Sequence, residues 1–91
     1  MSAPVPSANV RFLLDAECSP GLLPRVLQPF ARRDLVPDRM WSHRSGGMMH
    51  LEIAVETMPD DEIHLVEGNL RQIVGVRSVV LVRRERVRDA A

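Results

Sequence analysis

The apolar residues of this chain change their period from segment to segment, and the order of those changes leaves few folds open. Val10, Phe12 and Leu14 alternate with Arg11 and Leu13, the two-residue period of a strand with one buried face, ending near Asp15. Leu22, Leu23, Val26, Leu27 and Phe30 then fall at helical spacing, with Arg25, Gln28, Arg32 and Arg33 on the other side. Residues 36–44 read as a second strand with Val36, Met40 and Trp41 as its apolar members. Ser45-Gly46-Gly47 supplies the glycines of a hairpin turn. Met49, Leu51, Ile53 and Val55 alternate with His50, Glu52, Ala54 and Glu56, the clearest strand of the chain. Thr57, Pro59 and the acids Asp60, Asp61 and Glu62 predict a helix start with a capping hydroxyl, an early proline and negative charge at the positive end of the dipole. Ile63, Val66, Leu70 and Ile73 form its apolar stripe, Gly75 its stop signal, and the valine-rich residues 76–82 a last strand.

The order strand, helix, strand, strand, helix, strand is the split β-α-β plan. It predicts an α+β, ferredoxin-like βαββαβ sandwich with a four-stranded antiparallel sheet and both helices on one face. Right-handed crossovers place the first and third strands in the centre and the second and fourth at the edges. Pro37, with no N–H for a ladder, agrees with an edge position for the second strand. Two prolines lie in the first helix: Pro24 suits a first turn, whereas Pro29 removes an interior hydrogen bond and is expected to bend the helix. The domain is expected over residues 9–83, with a flexible N-terminal tail over 1–8 and a charged C-terminal tail over 84–91.

Ninety-one residues suffice for one domain. A domain of this size buries roughly 60–65% of the surface its unfolded chain exposes, so pairing with another chain is a natural source of added stability. Twelve basic and twelve acidic residues cancel, and every base is arginine. With no net charge and only Phe12, Phe30 and Trp41 as aromatic residues, neither a basic footprint nor the aromatic platform of a four-stranded RNA reader is present, and no nucleic-acid partner is expected. The single cysteine, Cys18, allows no internal disulfide and suits a reducing compartment. No secretory signal and no apolar run of membrane-spanning length occur, so a cytoplasmic protein is expected.

The residues that bear on function lie in Ser19-Pro20-Gly21-Leu22-Leu23-Pro24-Arg25-Val26, between the first strand and the first helix. A glycine at such a turn lets the backbone approach a ligand closely, and the N–H groups of a helix start hold an anionic group such as a carboxylate. Candidates for chemistry are few. His43 and His50 lie on strands joined by the hairpin and, with Glu52, would offer metal ligands; the plainer reading is surface histidines on a half-open sheet. Cys18 would be a reactive thiol at a helix N-terminus, or a small residue lining the turn. No Ser/His/Asp set, phosphate loop or dinucleotide fingerprint is present. No catalytic residue, metal or cofactor is therefore assigned, and catalysis by the chain alone is not expected.

Residues 15–33 (DAECSPGLLPRVLQPFARR) resemble the first loop and helix of the ACT domain, a regulatory amino-acid-binding module. Pro20, Gly21, Leu23, Arg25, Val26, Phe30, Arg32 and Arg33 match that pattern, while Cys18 stands where Asn or Asp is common and Asp34 where glycine follows the arginine pair. The similarity extends over about residues 9–83, and the chain's length looks like that of the short regulatory small subunits of acetolactate synthase. The resemblance implies a non-catalytic regulatory protein. It would bind a small amino acid at Cys18, Ser19, Pro20, Gly21, Leu22 and Leu23, pair with itself through an edge strand, and dock on a catalytic large subunit of branched-chain amino-acid biosynthesis. A free-standing amino-acid sensor with another target enzyme, and a metal carrier or small enzyme built on His43, His50 and Cys18, are the alternatives.

Overall fold

Every second side chain of the first strand, β1 (Ser7–Glu17), is apolar and buried: Ala8, Val10, Phe12, Leu14 and Ala16 expose 2% or less of their surface. The alternating face is covered by α1 (Leu22–Ala31) and α2 (Asp60–Arg71) in a computed structural model that describes residues 6–85. The remaining strands are β2 (Arg39–Ser45), β3 (Met48–Pro59) and β4 (Val76–Glu85). All pair antiparallel in the order β2-β3-β1-β4. The βαββαβ order and its four-stranded sheet are those expected from the apolar periods, with β1 and β3 central and β2 at an edge. None of the helices among the described residues is long and apolar enough to cross a membrane.

The core joins the three longer strands to both helices. In register across the sheet, Leu51, Leu14 and Val79 form one apolar row and Ile53, Phe12 and Leu81 the next. Leu22, Val26 and Phe30 from α1 and Ile63, Val66 and Leu70 from α2 close over them. The Phe12 and Phe30 rings meet edge to face, with centroids 5.5 Å apart at 81°, the arrangement their ring quadrupoles favour. β2 contributes no buried residue. It reaches beyond the helices and keeps both faces and its outer edge in solvent.

Four local expectations change. β2 begins at Arg39, not Val36; the preceding loop is pinned instead by Asp38, whose N–H donates to the Ala54 carbonyl (2.8 Å) and whose Oδ2 accepts from the Glu56 N–H (2.7 Å). Thr57 does not cap α2. It lies within β3, where Glu56 and Thr57, both exposed between buried Val55 and Met58, face the single residue Asn9 across a bulge. The first free donor of α2, the Asp60 N–H, is met by the Pro6 carbonyl at 2.9 Å, so the helix start needs no hydroxyl. α1 runs through Pro29, which is buried two residues before the helix end, where a missing donor affects only the last turn. Strand pairing reaches Ala8↔Glu85 and Ser7↔Pro59, past both expected domain limits. The tails expected beyond it, over 1–5 and 86–91, lie outside the described residues.

Candidate ligand-binding turn

β1 ends at the rim of the sheet, where its backbone is tied to the turns on both sides. The Glu17 N–H donates to the Gly75 carbonyl (2.8 Å) and the Cys18 N–H to the Gly47 carbonyl (2.9 Å). Gly75 has φ +96°, a conformation L side chains rarely adopt, and this aims its carbonyl at Glu17. The segment 18–21 therefore leaves a central strand between the β2–β3 hairpin and the α2–β4 turn.

Cys18, Ser19, Pro20, Gly21, Leu22 and Leu23 are contiguous here, but they differ in what they offer. Pro20 and Pro24 have no N–H. The Leu22 N–H donates to the Ser19 carbonyl (3.2 Å), and the Arg25 N–H to the Gly21 carbonyl (3.3 Å). The N–H groups of Ser19, Gly21 and Leu23 make no backbone hydrogen bond among the described residues, and they are the donors left for a ligand. Leu22 is buried and anchors α1 to the core, Leu23 packs on its margin, and the Cys18 thiol is free and half-buried.

Gly21 precedes α1 with φ −92° and ψ 4°, which any residue adopts. Its value is spatial. A Cβ at this position would lie 2.8 Å from Arg25 Nη2 and 3.3 Å from Cζ and Nε. The guanidinium thus folds back one helical turn over the glycine and sets a full positive charge beside the helix start, where the macrodipole already favours an anion. Arg25 also lines a groove of about 370 Å³ between the helices, with Gln28, Pro29, Arg32, Asn69, Gln72 and Ile73 among its walls. Arg25 is not among the six residues that the resemblance implies for ligand contact. Its spacing of four from Gly21 was the available signal, since residues one turn apart share a helix face.

The histidines and the cysteine are dispersed. His43 and His50 oppose each other across β2 and β3, but the His43 ring stacks on Trp41 (centroids 5.8 Å apart, 15°) and His50 Nδ1 bonds to Asp15 Oδ1. Glu52 is paired with Arg11 at 3.6 Å, and His64 stands exposed on α2. No group of three His, Cys, Asp or Glu side chains suited to a metal ion occurs among the described residues. Ser78 Oγ donates to Asp15 Oδ2 at 3.4 Å. Serine and imidazole thus bond to opposite oxygens of one carboxylate, and the imidazole is not placed to take the serine's proton.

Two features of α1 match the resemblance drawn from residues 15–33: the glycine turn opens the helix, and the arginine pair closes it. Asp34 follows that pair with φ +55°. The Leu35 N–H bonds to the Phe30 carbonyl (2.9 Å) and the Asp34 N–H to the Ala31 carbonyl (3.2 Å), the hydrogen-bond pair of a Schellman stop. No curated protein matches the chain. The family model of the ACT-like domain matches residues 5–88, and with that span covering nearly the whole sequence, the chain belongs to the ACT-like domain family.

Proposed function

We propose that this is a non-catalytic regulatory protein whose β1–α1 turn binds a small amino acid through its carboxylate. The observation that supports this most directly is the Arg25 guanidinium lying over Gly21, beside the open N–H groups of Ser19, Gly21 and Leu23. A charge-assisted bond from Arg25 together with these donors suits a carboxylate. Cys18 and Ser19 would border the amino-acid side chain. In this reading the exposed β2 edge pairs with β2 of a second copy, and the pair docks on a catalytic subunit. The short small subunits of acetolactate synthase, in branched-chain amino-acid biosynthesis, are the form the chain's length suggests. The single free Cys18 suits work in the reducing cytoplasm.

Calorimetric titration with each of the twenty amino acids tests the turn. Saturable binding by one or a few of them, weakened about tenfold by Arg25→Gln as loss of a charged hydrogen bond implies, supports the reading. Binding untouched by Arg25→Gln, or none to any amino acid, overturns it. Native copurification separates the targets: recovery of a thiamine-dependent synthase supports the acetolactate synthase form, and recovery of a different enzyme the free-standing sensor.

A further inference from the structure

The face of the sheet away from the helices carries a second, differently built surface. Asn9, Arg11, Arg39, Val82, Arg83 and Arg84 line a groove of about 420 Å³. Register brings them together: Arg39 and Arg11 both flank Ala54, Arg11 opposes Val82, and Asn9 opposes Arg84. Arg11, Arg39 and Arg84 project from this face, whereas Arg83 opposes buried Val10 and turns to the helix side. Arg11 is neutralised by Glu52 (3.6 Å) and Arg83 by Asp60 (2.9 Å). Arg39 and Arg84 have no carboxylate partner among the described residues. The charge left open is about that of one phosphate monoester, which carries roughly −1.5 to −2 near neutral pH; one carboxylate would balance half of it.

A second groove opens directly beside the first and shares Arg39. Its walls are Arg39, Met40, Trp41 and Glu52. The Trp41 indole is 57% exposed. One side of the ring is taken by the His43 stack, and His43 is not among this groove's walls. Arg39 and Trp41 are two residues apart on one face of β2, a separation of about 7 Å that one ribose spans between a phosphate and a base. Glu52, opposite Trp41 in register, offers an acceptor to an amino group on such a base.

We propose that the open sheet face binds a nucleoside phosphate, with the phosphate held by Arg39 and Arg84 and the base stacked on Trp41. The site is distinct from the β1–α1 turn: Asn9 and Cys18 are separated by nine residues of extended chain, about 30 Å. The arginine fork suits phosphate geometrically, and an exposed indole is the stacking surface a base requires.

Trp41 is the chain's one tryptophan, and there is no tyrosine, so intrinsic fluorescence reports this face directly. The full chain is titrated with AMP, ribose 5-phosphate, inorganic phosphate and a ten-nucleotide single strand. Expected are saturable quenching by AMP, binding of ribose 5-phosphate at least about tenfold weaker for want of stacking, and AMP binding about tenfold weaker in Arg39→Gln. Both Arg39 and Arg84 are exposed, so an unchanged melting temperature in Arg39→Gln and Arg84→Gln confirms that any loss is local. No saturable response to AMP, equal affinity for AMP and ribose 5-phosphate, or binding of the oligonucleotide alone would each overturn the proposal. The result is independent of amino-acid binding at the turn, because Arg25 takes no part in it.

Discussion

Arg25 and Gly21 are packed so closely that the glycine's missing side chain is what admits the arginine: a Cβ there would sit 2.8 Å from Arg25 Nη2. The contact is with the far end of a long side chain, and the backbone at Gly21 is unstrained. Gly21→Ala is therefore expected to leave stability within about 0.5 kcal/mol of the parent, as small gains in unfolded-state entropy and small losses at the cap cancel. Amino-acid binding is expected to fall about tenfold as the guanidinium is pushed aside. Thermal melting and calorimetry on the same preparation check both halves. A large drop in melting temperature would show that Gly21 serves the backbone.

Gly75 is the contrasting case. Its neighbour, Glu17 Cβ, is an ordinary 3.8 Å from a built Cβ, but φ is +96°. Gly75→Ala is expected to cost about 1–2 kcal/mol, the penalty of a left-handed backbone for an L residue. It should also loosen the bond to the Glu17 N–H, read as faster amide exchange at Glu17 than at Phe12 in the strand centre.

Asp34 holds φ +55° at the stop of α1, a position where glycine is the common solution. Asp34→Gly exchanges backbone strain for unfolded-state entropy, and the strain is the larger of the two. A gain of about 0.5–1 kcal/mol is expected, raising the melting temperature by roughly 2–8 °C for a domain of this size. A lower melting temperature would show that the Asp34 side chain stabilises the stop.

The edge-to-face contact of Phe12 and Phe30 joins the sheet to α1 at the centre of the core. Phe30→Ala is expected to cost about 3–5 kcal/mol. Total stability for a chain of this length is of the order of 5–14 kcal/mol, so the variant should unfold at a much lower denaturant concentration. Phe30→Leu, which keeps most of the volume, should cost less than half as much.

Which parts of this were legible in the sequence follows from what periodicity can and cannot report. β1 and β3 are buried on one face, so alternation marks their existence, and the right-handed crossovers of the element order mark their central place. β2 buries nothing, so no period marks its start, and Val36, 82% exposed, reads as a strand residue without being one. Thr57 looked like a cap because a threonine before Pro59 and three acids is a good one; a bulge adds residues to β3, and only pairing with Asn9 reveals it. The site was legible as a segment and not as a geometry. Gly21 stands out in the sequence, but the fold-back of Arg25 over it depends on a rotamer. The Asp15, His50 and Ser78 group and the arginines of the open face are brought together by register, across 28 to 73 residues of chain.

Ser42 lies at the midpoint of β2, exposed on the outermost strand. Pairing of β2 with β2 of a second copy about a two-fold axis would bring the midpoints together, so one substitution acts twice. Ser42→Lys would set two positive charges opposite each other, which destabilises an antiparallel pair and is a common guard on exposed edges. The folded protomer should be indifferent to the change, because Ser42, although on the same face as its cross-strand neighbour Leu51, is exposed and contributes nothing to the core. Sedimentation is expected to show a dimer for the parent and a shift toward monomer for Ser42→Lys, with circular dichroism unchanged. Dimerisation equal in the two proteins would place the association on another surface, and the open sheet face with Trp41, Val80 and Val82 would be the next to substitute.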